Sequence, residues 1–185
     1  MPKAIMILIA TICVTSLAGA QAPAGKHSIA KEPRAVGADN AQAEIKDTSG
    51  RLVGRANLTQ TADGVRIQTT LSGLPTGIHG FHIHETGRCD PPFETAGGHF
   101  NPEPKQHGKE NRMGRHAGDL PNLVVPENGR VLVDVVEPMV SLHTGANSLM
   151  DSDGSALVVH QRGDDNRTDP DGNAGSRIAC GVIMK

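Results

Sequence analysis

The chain has 185 residues with 18 Lys and Arg against 20 Asp and Glu, a formal charge of −2, and it carries no basic run long enough to track phosphates, so nucleic acid and anionic lipid are not expected partners. It has no Trp, no Tyr and three Phe (Phe81, Phe93, Phe100), which leaves an aliphatic core as the only option. Its 22 Gly and 12 Pro interrupt the chain too often for long helices but stay well below a collagen-like or disordered composition.

The N-terminus reads as a signal peptide over residues 1–20: Lys3, an apolar run, then Ala18, Gly19 and Ala20 ahead of the cut. The uninterrupted apolar stretch is shorter than the ~20 residues a membrane span requires, so no anchor is expected after cleavage. Removing residues 1–20 leaves 17 Lys and Arg against 20 Asp and Glu, a formal charge of −3. It also removes Cys13, so Cys89 and Cys180 are the only thiols left in an exported, oxidisable chain. Their disulfide would close a loop of about ninety residues, worth roughly 4–5 kcal/mol by chain entropy; two buried free thiols are the alternative.

Residues 21–38 lack a sustained apolar period and read as a flexible lead-in, which leaves 39–185 as one domain. Strands are predicted at 41–46, 51–60 and 64–71, forming a meander whose second turn carries the hairpin pair Asp63-Gly64. The next strand is HGFHIHE, in which Phe81 and Ile83 alternate with His82 and His84. One face is then apolar and the other carries both imidazoles. A loop at 86–115, rich in Gly, Pro, Asn and His, follows; a loop that long in a compact domain is usually functional. Strands resume at 119–125, 129–136, 154–160 and 177–184, the last two separated by an Asp- and Gly-rich loop. About eight short strands predict an all-β barrel or sandwich with its chemistry on long loops.

A lone histidine on a strand is commonly structural. Here His82, His84 and His160 lie on strands, while His99, His107 and His116 lie in or just after the long loop, which also supplies Asp119. Imidazole nitrogens suit copper and zinc, and a carboxylate beside three imidazoles completes a shell that zinc accepts. Two metal sites can be built from this set.

GFHIHETG, AGGHFNP, HAGDLPN, LVVHQRGDD and GNAGSRIACGVI occur in that order over residues 80–183 and resemble the successive signatures of copper/zinc superoxide dismutase. The style of the loop is similar to the bacterial exported branch. The resemblance implies an eight-stranded Greek-key β-barrel that binds one copper and one zinc ion per chain. It implies His82, His84, His99 and His160 as copper ligands, and His99, His107, His116 and Asp119 as zinc ligands, with His99 bridging. It makes Asp164 the aspartate that links the copper ligand His82 to the zinc ligand His107, Arg177 the arginine that attracts and orients the substrate anion, and Cys89–Cys180 the family disulfide. His79 fits the family histidine that ties the barrel to a loop. His27, His143, Asp165, Asp169 and Asp171 read as solvated, and Arg162 and Arg167 as candidate steering cations.

The implied reaction is disproportionation of superoxide to dioxygen and hydrogen peroxide, with Arg177 and His99 as the catalytic groups. The periplasm is the expected location and secretion the alternative, and a homodimer is an assembly the resemblance admits. A non-catalytic copper/zinc buffer or a copper-delivery protein on the same scaffold is the alternative function.

Overall fold

The computed structural model describes residues 39–185; the predicted signal peptide and lead-in, with His27, lie outside the described residues. Among the described residues nine strands form: β1 (Asn40–Asp47), β2 (Leu52–Thr61), β3 (Gly64–Ser72), β4 (Gly77–His79), β5 (Phe81–His84), β6 (Leu123–Val125), β7 (Arg130–Glu137), β8 (Ala156–His160) and β9 (Arg177–Val182). Seven of them make one curled antiparallel sheet in the order β5-β8-β9-β1-β2-β3-β7, and β4 pairs with β6. The described residues are all-β, as expected.

Alternation sets the inner face. In β1, Ala41, Ala43 and Ile45 are buried between exposed neighbours, and in β3 Val65, Ile67, Thr69 and Leu71 do the same. With Leu58, Phe81, Ile83, Leu157 and Val159 the apolar residues among them form one core, in which each fully buried Leu or Ile contributes about 1.5–3 kcal/mol. The Asp63-Gly64 hairpin is present, with Thr61 paired to Gly64. Gly64 has φ of 125°, and a Cβ there would lie 2.3 Å from the Glu137 carbonyl oxygen, so only glycine fits where the hairpin meets the end of β7.

Two predicted strands are corrected. HGFHIHE is not continuous: β4 pairs with β6 while β5 pairs with β8, and the chain changes partners at Gly80. There the Gly80 N–H donates to the Arg162 carbonyl at 2.7 Å and its carbonyl accepts from His160 N–H at 2.8 Å. The strand predicted at 119–125 shrinks to Leu123–Val125, because Asp119 and Asn122 are held by side-chain bonds to loops instead of by a ladder. All four residues of β5 are buried, so the histidine face of that strand is covered by the long loops rather than by solvent.

The first loop contains one turn of 3-10 helix, Glu94–Ala96, and is pinned to β9 by the Cys89–Cys180 disulfide, whose Cα atoms are 5.7 Å apart. No helix among the described residues is long and apolar enough to cross a membrane.

Candidate metal centre

Seven of the predicted site residues converge into two sets of four that share one member. His82, His84, His99 and His160 each offer one nitrogen, and His99, His107, His116 and Asp119 each offer one nitrogen or oxygen; within either set these atoms lie within 4.8 Å of one another. All seven are buried. The first set stands on the paired strands β5 and β8 with His99 brought in from the loop, where His84 and His99 form an isolated bridge. The second set is carried almost wholly by loop.

Hydrogen bonding fixes which nitrogen of each ring is free. An oxygen acceptor on one side of a neutral imidazole consumes its single proton and leaves the other nitrogen as a bare lone pair. His82 Nε2 donates to Asp164 Oδ2 at 3.0 Å and His107 Nε2 to Asp164 Oδ1 at 2.9 Å. His84 Nδ1 donates to the Gly97 carbonyl at 3.0 Å, His160 Nδ1 to that of Gly175 at 3.0 Å, and His116 Nε2 to that of Lys105 at 3.1 Å. The remaining nitrogens all point inward. His84 Nε2 and His160 Nε2 face each other at 3.3 Å, two lone pairs with no proton to share. His82 Nδ1 and His99 Nε2 are buried without a hydrogen-bond partner, and His107 Nδ1 faces Asp119 Oδ1 at 3.0 Å.

Such converging lone pairs repel one another, and buried polar atoms normally find partners. A cation inside each set removes both problems, and outer nitrogens tied to oxygen acceptors are what orient metal-binding histidines. The donor chemistry discriminates between the sets: four imidazoles on one side, three imidazoles and the carboxylate of Asp119 on the other. Both fit their predicted ions, copper in the first and zinc in the second.

Charge divides the same way. Burial pushes His82 down to about 3 and His160 down to about 4, and lowers His84 and His99 as well, so the first set is neutral and ready to donate. Burial also opposes charge on His107, but the carboxylates of Asp119 and Asp164 outweigh it and raise the ring to about 10. Although burial alone would raise Asp119 and Asp164, bonds from His107 and its neighbours hold both carboxyls well below the usual range. Asp119 Oδ1 lies 2.9 Å from His99 Nδ1 and 3.0 Å from His107 Nδ1. A proton there stands where a metal would.

A cavity of about 480 Å³ opens over the first set and is lined by His84, His99, His160 and Arg177 among others. Arg177 starts β9, and its guanidinium is fixed by donation to the carbonyls of Phe93 and Gly97, each at 2.7 Å. Phe93 adopts a left-handed backbone, φ 76°, in the disulfide-pinned loop. The predicted steering cations are not at this mouth. Arg162 donates to the Asn173 carbonyl and Arg167 pairs with Glu110, whereas Lys105, which composition gave no reason to single out, lines the cavity. Asn101 brackets Lys105 by bonding both its N–H and its carbonyl.

His79 lies as expected, its ring nitrogens 2.9 Å from the His160 carbonyl oxygen and 3.0 Å from that of Pro75. His143 is exposed and pairs with Asp39. Asp165 caps its own loop through Arg167 and Thr168. Asp169 is exposed, in keeping with its solvated reading, and it also accepts from the His107 N–H at 2.6 Å and lines the cavity, as does Asp171. Asn122 was also missed. It bonds Asp164 in both directions, through N–H and carbonyl, and so holds the aspartate that joins the two sets; its place in HAGDLPN beside Asp119 was the available signal.

The family model described as copper/zinc superoxide dismutase (SODC) matches residues 52–183. Superoxide dismutase [Cu-Zn] 2 of Aquifex aeolicus is 50% identical over 146 residues, covering 77% of this chain and 85% of that protein. Extracellular superoxide dismutase [Cu-Zn] of Caenorhabditis elegans is 36% identical over 148 residues, covering 77% of this chain and 65% of that protein. Among solved structures, a double mutant of a SOD-like protein from Bacillus subtilis aligns with a TM-score of 0.75 and 43% identity, over 78% of this chain and 97% of that one.

Proposed function

The chain belongs to the copper/zinc superoxide dismutase family, and from that membership we propose that it disproportionates superoxide, two anions and two protons giving dioxygen and hydrogen peroxide, outside the cytoplasm. The observation that carries this reading is the single imidazole of His99 shared by two complete donor sets beneath a cavity that Arg177 lines.

His82 Nδ1 and the Nε2 atoms of His84, His99 and His160 would hold copper; the Nδ1 atoms of His99, His107 and His116 with Asp119 Oδ1 would hold zinc. Bound copper supplies a one-electron centre that alternates between two oxidation states, and zinc anchors the shared ring. The protein supplies the rest. The Arg177 guanidinium is locked by two carbonyls, so it draws a small anion into the cavity and orients it there without rearranging. His99 Nε2, bare and aimed at the first set, is the atom positioned to hold a proton and pass it to reduced substrate, while Asp119 keeps the other side of the ring in place. The net negative charge opposes the substrate anion globally, so attraction is local to Arg177 and Lys105 and weakens with salt.

Export is proposed from the N-terminal sequence and supported by the disulfide, which persists in oxidising compartments. The periplasm is the proposed destination, and pairing of two chains the proposed assembly.

The test is to purify the exported form, measure copper and zinc per chain, and follow superoxide consumption before and after copper removal. One of each ion with copper-dependent consumption is expected. Both ions without consumption would replace the enzyme by a metal buffer; copper that leaves readily for an acceptor protein, again without consumption, would indicate copper delivery.

A further inference from the structure

The inner face of β7 ends on an acid. Alternation places Glu137 inward, where Val133 is buried along the same face, and Glu137 is 3% exposed. A carboxylate that deep requires a cation and saturated hydrogen bonds. Arg115 provides them in bidentate form, Nη2 to Oε1 at 2.8 Å and Nη1 to Oε2 at 3.0 Å, and the Met139 N–H adds a third bond to Oε1 at 3.0 Å.

The same guanidinium faces the turn that carries two members of the loop set. Arg115 Nη1 donates to the Asp119 carbonyl at 3.0 Å and lies 3.4 Å from that of His116. Within the turn, Asp119 Oδ2 is occupied by the N–H groups of His116 at 3.0 Å and Gly108 at 2.9 Å, which leaves Oδ1 to face the three imidazoles. The direction of Oδ1 is therefore set by the backbone of 116–119, and that backbone is tied to the barrel by Arg115.

Resting on the zinc assignment above, we infer that Arg115 and Glu137 form a clamp that positions His116 and Asp119 for zinc, so that this half of the centre is preformed before an ion arrives. Neither residue touches the ion; both are positioning residues. A lysine cannot replace the fork, because one ammonium on a flexible stem does not reach two carboxylate oxygens and two carbonyls in one plane. The anchor sits on the last residue of an edge strand and so is independent of β5 and β8, which carry the copper half.

The decisive variant is R115M/E137M, which removes the pair without stranding a buried charge, a replacement that usually preserves stability. Zinc affinity of the copper-free protein is measured by chelator competition, beside the thermal midpoint of the metal-free protein and amide exchange at His116, Gly118 and Asp119. Expected are a midpoint near the parent's, exchange that is faster at those amides, and zinc binding weaker by about 10- to 100-fold, as for other outer partners of metal ligands. R115K, which keeps the charge, should bind zinc severalfold more weakly, and it carries the test should the double variant not fold. Affinity within twofold of the parent in whichever variant folds would overturn the clamp. A parent that binds no zinc would overturn the zinc assignment instead, and unchanged exchange at the three amides would then still overturn the clamp.

Discussion

The two halves of the centre are built by different means. The half proposed for copper stands on β5 and β8, whose ladder runs from Phe81 opposite Val159 to His84 opposite Ala156; packing on Phe81, Ile83 and Leu157 holds its histidines, and burial keeps them neutral. The half proposed for zinc is loop. It has no ladder of its own, and His107, His116 and Asp119 are held by ion pairs and hydrogen bonds: Asp164 on His107, Asp169 on the His107 N–H, Lys105 O on His116, Arg115 beneath the turn. Where hydrophobic burial is scarce, polar bonds that converge on the backbone take over the work of positioning. Such a half gains more order from a bound ion than a strand half does.

The contrast can be broken in graded ways. The largest effect is expected from His160→Ala, which removes a strand ligand outside the shared ring. Superoxide consumption should fall to that of copper-depleted protein while zinc stays near one per chain, as read by metal analysis. Asp164→Asn strikes both halves, since its two oxygens serve His82 and His107 and an amide has only one acceptor. Affinity for both ions should drop by about 10- to 100-fold in chelator competition; loss at one half alone would show that the aspartate does not couple them.

Acid should separate the halves in metal-free protein. His82 and His160 have folded pKa values depressed from 6.5 to about 3 and about 4, so their contribution is present above 6.5 and is lost as pH falls toward 4. His107 is raised to about 10; its contribution is fully present below 6.5 and is lost as pH rises through 10. Stability of the metal-free protein should therefore peak near pH 6.5 and decline on both sides, by up to about 1.4 kcal/mol per pH unit for each group titrating. Chemical unfolding across pH measures this, and a flat profile between 6.5 and 4.5 would contradict the neutral copper half.

The smallest effect concerns the mouth. Glu94, exposed, lies 3.7 Å from Arg177 Nη2 and competes with the substrate anion for that cation. Exposed pairs are worth little, so Glu94→Gln should raise the catalytic constant by about two- to fivefold at low ionic strength, with the gain vanishing at high salt. Glu127→Gln, the same charge change outside the mouth, is the control and should leave the constant unchanged.

What the sequence revealed follows the same division. Period-two alternation exposed β1, β2, β3 and β7, each of which buries one face, whereas β8 and β9 are short segments buried without alternation; alternation also placed His82 and His84 on a common side. The break at Gly80 was hidden, since only the partner strands show that β4 and β5 pair differently. The shortening of β6 was hidden too, because Asn122 leaves the ladder to bond Asp164, 42 residues away. Metal-ligand candidates were recognisable because His and Asp types cluster along the chain and match ordered motifs. Their outer partners were harder to see: Lys105 acts on His116 through its carbonyl, which any residue has, and Glu137 pairs with Arg115 across 22 residues with no local pattern to join them.

The central claim is that one imidazole joins both halves. Anomalous scattering from crystals of the metal-loaded protein, recorded at the copper and zinc absorption edges, tests it most directly. A copper peak at His99 Nε2 and a zinc peak at His99 Nδ1 are predicted; a single occupied set, or two ions of which only one touches His99, would contradict it.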